Sequence, residues 1–151
     1  MFNKKLLITT TVIILIFLCA SCEQLKHGEG RDTVMSFGDG TYQFFRNDIY
    51  LQLFNVEKFV TIELKAKTWR LKDNKLYIYG GVGYTILDCK TNKVKQYLTF
   101  ENYNKQEKES YEYDRLKILA GEITVLEKFE DFSPEEREIF INLKKESIKK
   151  E

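Results

Sequence analysis

The residue types that carry most enzymatic and metal chemistry are scarce in this 151-residue chain. It has one histidine, His27, and three cysteines, Cys19, Cys22 and Cys89. A zinc centre draws its ligands from clustered Cys and His, which this inventory does not supply, so no metal and no other cofactor is expected. A Ser–His or Cys–His nucleophile pair would have to recruit His27 from a polar, glycine-bearing stretch, and nothing in the sequence argues for that. The glycine groups Gly28/Gly30, Gly38/Gly40 and Gly80/Gly81/Gly83 do not open a helix after a strand. None is followed by the Lys-Ser/Thr of a phosphate-binding loop, and the last reads as a hairpin turn. The carboxylate pairs Glu107/Glu109 and Glu112/Asp114 lie in a charged helical run, where solvated faces are the rule. Cys89 beside Lys90 stands in a turn with no second partner, which reads as an inert thiol. An enzyme is therefore not expected.

The cysteine with chemistry to do is Cys22. Lys4 and Lys5 precede an apolar run from Leu6 to Leu18, and the run ends in Cys19-Ala20-Ser21-Cys22. About a dozen apolar residues fall short of the ~20 that a permanent spanning helix needs, which is the pattern of a cleaved signal segment. Small residues at Ala20 and Ser21 with a Cys directly after them resemble the lipobox of bacterial lipoprotein precursors. The one departure is Cys19, where that pattern usually has Leu. The resemblance implies removal of residues 1–21, a diacylglyceryl thioether on Cys22, and a protein held by lipid on the extracytoplasmic face of a bacterial cell membrane. Membrane attachment through Cys22 is the one partner that it names.

Residues 22–32 are polar with two glycines and are expected to form a flexible tether, His27 included. Residues 33–151 are the size of a single domain. The 24 Lys and Arg lose Lys4 and Lys5 with the signal, leaving 22 against 23 Asp and Glu, a net charge of −1. That balance offers nucleic acid no attraction, and no nucleic-acid partner is expected. With Cys19 removed and Cys22 acylated, Cys89 has nothing to pair with.

From Thr33 to Phe100 the chain alternates at period two. Thr41–Phe45 and the Ile49/Leu51/Leu53 face flank Arg46-Asn47-Asp48 as a hairpin. Val60, Ile62, Leu64 and Ala66 then face a core while Thr61, Glu63, Lys65 and Lys67 face water. Asp73-Asn74 and Gly80-Gly81-Val82-Gly83 separate further strands around Trp69/Leu71, Leu76–Tyr79 and Tyr84–Leu87, and Val94–Phe100 follows. Four strands in this span look like one blade of a β-propeller, but no second copy exists. Asn104 with Glu107 predicts a helix closed by Gly121, Ile123 and Val125 an added edge strand, and Ser133-Pro134-Glu135-Glu136 a capped helix start. The expected fold is α+β, an antiparallel meander of five to seven strands with one or two helices in the C-terminal third.

The 9 Tyr, 11 Phe and 1 Trp supply the remaining candidate surface. Tyr77 and Tyr79 oppose Leu76 and Ile78 on their strand. If that face is open, they form with Trp69 and Tyr84 a rigid amphipathic surface for a protein or glycan partner; a covering helix would close it. The expected function is a non-catalytic binding or interaction module of the envelope, such as an inhibitor or immunity-type protein. The alternative is a structural or accessory subunit docking through the C-terminal helix, whose Ile141 and Ile148 lie off its main apolar stripe.

Overall fold

A computed structural model describes residue 30 and residues 32–47, 50–101, 103–119 and 121–149. The predicted signal segment, the lipidation site Cys22 and His27 lie outside the described residues. The elements follow the alternation closely: β1 (Thr33–Phe37), β2 (Tyr42–Asn47), β3 (Tyr50–Asn55), β4 (Val60–Lys72), β5 (Lys75–Gly80), β6 (Gly83–Asp88), β7 (Lys93–Leu98), helix α1 (Lys105–Ile118), β8 (Ile123–Val125), a 3₁₀ turn at Phe129–Asp131 and helix α2 (Pro134–Ile148). The strands form one sheet in the order β1 to β8. The fold is thus an α+β meander with two late helices, with eight strands because both β1 and β8 join the ladder.

Turn chemistry explains the tight connections. Asp73 and Asn74 both adopt positive φ, 52° and 59°, as a two-residue hairpin matched to strand twist requires. In the β6–β7 turn, Asp88 Oδ1 accepts the Lys90 and Thr91 N–H groups, each at 3.0 Å. The first six pairings are antiparallel; the last, β7 with β8, is parallel.

Strand β4 turns the corner of the sheet. Its first half pairs with β3 and its second half with β5, with register shifts at Leu51/Leu53, Leu53/Phe54 and Ala66/Thr68. The extra residues bend and twist the strand. The two halves of the sheet then close on each other: Phe37, Tyr42, Phe44, Leu53 and Ile62 pack with Leu76, Ile78, Leu87 and Val94 in one core. Across this fold Gln96 Nε2 of β7 reaches Ile62 O of β4 at 3.2 Å, although the strands are not neighbours in the ladder. The β1–β2 turn abuts the β6–β7 turn so tightly that a Cβ on Gly38 would stand 2.2 Å from Cys89 O. With φ of +58°, that position has two reasons to be glycine.

The helices cover the outside. Ser133 caps α2, its side chain accepting Glu136 N–H while the Glu136 carboxylate accepts Ser133 N–H, with Pro134 in the first turn. Asn104 and Glu107 close the same box on α1. Phe140, Ile139 and Leu143 of α2 bury against Tyr77, Tyr79, Tyr84 and Ile86 on the outer face of β5 and β6. Helix α1 contributes Tyr111 to a smaller cluster with Val82 and Phe100. Among the described residues no helix is long and apolar enough to cross a membrane.

Candidate functional site

The predicted aromatic surface is not an open one. Tyr77, Tyr79 and Tyr84 are buried, at 5%, 2% and 8% exposure, beneath α2. Their rings meet Phe140 and one another at centroid distances of 5.2–5.8 Å. Trp69 stands on the opposite face of the sheet, half-exposed, 5.6 Å from Phe44. The four residues therefore do not share a surface. The cause is the apolar stripe of α2, which needs a partner as much as the tyrosine face does. Around this layer the polar ends are matched. Thr68 Oγ1 donates to Leu143 O at 2.9 Å, Tyr79 Oη to Glu101 Oε2 at 2.9 Å, and Lys95 Nζ to the buried Glu136. Burial would raise the Glu136 pKa, but the hydrogen bonds from Lys95 and the Ser133 N–H and the charges of Lys95 and Lys75 outweigh it and hold that carboxyl below its usual range.

A second candidate lies on the other side of β4, where α1 covers the sheet incompletely. A cleft of about 800 Å³ opens between α1 and the β3–β4 hairpin, with Tyr50, Val60, Leu64, Tyr103 and Tyr111 in its walls and Arg115 among its lining residues. Its size is that of a small-molecule site. The Lys65 ammonium stands 5.0 Å from the Tyr50 ring centroid and 5.5 Å from that of Tyr103, which places a cation between two aromatic walls. Phe59, in the turn at one side, is 81% exposed and holds φ of +55°. A bulky side chain in the left-handed region is strained, and here the strain presents a phenyl ring to solvent.

Arg115 is the least expected part. It is 1% exposed, stacks its guanidinium 4.2 Å from the Tyr111 ring centroid, and offers Nε, Nη1 and Nη2 to no partner among the described residues. The Tyr111 hydroxyl donates elsewhere, to Ile62 O. The phenol of Tyr103 is also buried without a partner among the described residues. Burial raises the pKa of both tyrosines, so they stay protonated donors.

Glu63 lies beside this wall without lining the cleft. The alternation of β4 places it on a wet face, yet it is fully buried. The register shifts around Leu53 turn this part of β4 inward, and the backbone supplies hydrogen bonds: Glu63 Oε1 accepts Lys65 N–H at 3.0 Å and Val82 N–H at 3.1 Å. Burial pushes its carboxyl up to about 7, against the pull of those N–H groups and of the Arg115 charge. Gly80 makes the room, since a Cβ there would stand 2.5 Å from the Glu63 carboxyl carbon and 2.6 Å from Lys65 O. The glycines read as a turn are thus divided: Gly83, at φ of +145°, shapes the turn, and Gly80 clears space for a carboxylate.

None of Glu63, Tyr103, Tyr111 or Arg115 was singled out by pattern. One signal was available, since Tyr111 and Arg115 are four apart and so share a helix face, but charged spacing of that kind is also ordinary on a solvated helix. Among the described residues no three His, Cys, Asp or Glu side chains come together as a metal site would need. Cys89 is a free thiol, half-buried, its pKa raised by burial and by Asp88. No protein-family model matches the chain, and no curated protein and no solved structure matches it.

Proposed function

We propose that the protein is a lipid-anchored lipoprotein of the bacterial envelope, carried on Cys22, whose domain is a non-catalytic binding module using the cleft beside α1. The observation that carries this reading is a concavity of about 800 Å³ walled by aromatic side chains and bordered by a buried guanidinium. Aromatic walls with a few convergent polar groups are how proteins hold small ligands or one side chain of a partner. Titrating the isotope-labelled full chain with a panel of small aromatic compounds tests it by NMR: shift changes should gather at residues 50–65 and 103–115, and shifts confined to α2, or none, would sink it. The anchor has its own test. The Cys22→Ser chain should lose its lipid mass and leave the membrane fraction of a bacterial host, whereas an unchanged mass would remove Cys22 from the proposal.

A second reading, an accessory subunit docking through α2, is favoured by Ile141 and Ile148, which are 47% and 64% exposed on the helix side away from the aromatic layer. Replacing both by Lys should dissociate any native envelope complex while leaving the fold intact, and a persistent complex would count against this reading.

A further inference from the structure

We propose that the cleft takes an oxyanion headgroup carried on an aromatic or aliphatic stem, and that Arg115 receives the anion. The proposal rests on the cleft being the binding site. Arg115 is nearly sealed from solvent, and its three guanidinium nitrogens meet no acceptor among the described residues. A guanidinium cannot shed its proton to escape burial, as a lysine could. Such a group is tolerated where a counter-charge arrives from outside the chain. Tyr111 stacks on one flat face of the guanidinium, and a guanidinium's in-plane N–H edge matches a carboxylate or phosphate two atoms at a time.

The surrounding charges agree. Lys65 adds a second cation between Tyr50 and Tyr103. Among the described residues, Glu107 is engaged by the Asn104 N–H at 2.8 Å, and Glu63 accepts the Lys65 and Val82 N–H groups on Oε1 while its buried Oε2 meets no hydrogen-bond donor. Burial favours the neutral form of Glu63, so it compensates Arg115 only in part near neutral pH. A cationic ligand would meet two like charges, and a neutral one would leave the guanidinium edge unmet. The walls of Tyr50, Val60, Leu64 and Tyr103, with the exposed Phe59 ring beside them, suit an apolar stem.

Equilibrium dialysis of the detergent-solubilised full chain against four probes tests this, with detergent alone as the blank. The probes are 3-phenylpropionate, phenyl phosphate, the neutral 3-phenylpropionamide and the cationic 3-phenylpropylammonium. At least one anion should bind saturably and at least about tenfold tighter than the amide, the ammonium should not bind, and the tighter anion names the headgroup. Arg115→Met should weaken the anion at least about tenfold and leave the amide unchanged. Arg115→Lys, which keeps the charge but not the fork, should still weaken the anion and covers the case in which the methionine variant does not fold. Amide binding as tight as anion binding would overturn the anion assignment and leave the binding module standing. Binding of no probe would overturn both. Anion binding indifferent to either Arg115 variant would overturn the role of Arg115.

Discussion

Helices α1 and α2 are nearly equal in length, 14 and 15 residues, and each starts on a closed capping box, yet the layers beneath them are unlike. Under α2 lies an aromatic layer with the Tyr79 hydroxyl donating to Glu101 and the helix tied by Arg70–Glu146 and Lys95–Glu136. Under α1 lies a polar cluster: a fully buried Glu63, an Arg115 with no partner among the described residues, and an open cleft beside them. Apolar closure is what stability rewards, and α2 has it. Buried polar groups left without partners cost stability, and among the described residues Arg115 Nε, Nη1 and Nη2, Glu63 Oε2 and the Tyr103 hydroxyl gather on the α1 side, against Arg137 Nε on α2.

The sharpest test of that contrast is Phe140→Ala. Phe140 touches Tyr77, Tyr84, Phe129 and Phe132 at ring-centroid distances of 4.9–6.4 Å, so its removal should cost about 4 kcal/mol in urea unfolding. A loss no larger than that of a surface substitution would mean that α2 is not the stabilising layer. Next is Glu63. At low pH its carboxyl is protonated in the folded and unfolded chains alike; from about 4.5 to about 7 the unfolded chain ionises first, so stability falls as pH rises and the full penalty stands above 7. The size is on the order of 3 kcal/mol, and Glu63→Gln should abolish the slope between pH 5 and pH 8 while raising the urea midpoint at pH 8. A slope that survives the substitution would assign it to other groups. Gly80→Ala should cost roughly 1–3 kcal/mol by driving a methyl into the Glu63 carboxyl and the Lys65 carbonyl oxygen, and somewhat less in the Glu63→Ala background, which relieves the first clash but not the second.

The caps give a smaller difference. Ser133→Ala and Asn104→Ala each remove one cap, worth about 1 kcal/mol. The first should lower the global midpoint. The second should show as faster amide exchange along α1, because a thinly packed helix opens locally before the domain unfolds. Equal effects on global stability would erase the distinction between the helices. Smallest of all is Lys72→Ala, which deletes the exposed Lys72–Glu135 pair and should leave the melting midpoint where it was.

Local rules foretold much of the fold and little of the site. Period-two alternation, the Asp73-Asn74 turn and the Ser133 and Asn104 caps each depend on a few adjacent residues, and each is where the sequence pattern placed it. The second apolar face of β5 was also visible in Tyr77 and Tyr79. What lies over it depends on a helix more than fifty residues away, so openness could not be read from the strand. The cleft depends on the bend of β4, and the bend on bulges created by register with β3 and β5. No periodicity encodes a bulge. Glu63 therefore carried the signature of a solvated position, and Arg115 that of an ordinary charged helix residue.

The parallel pairing of β8 with β7 has one more consequence. Adjacent parallel strands cannot be joined by a tight turn, and here the crossover that joins them is α1 itself. The helix that walls the cleft is thus also the strap fastening the sheet's final edge. Unpairing β8 would therefore free the far end of α1 from the sheet, so the hold of that edge also bears on how firmly the cleft's helical wall is seated.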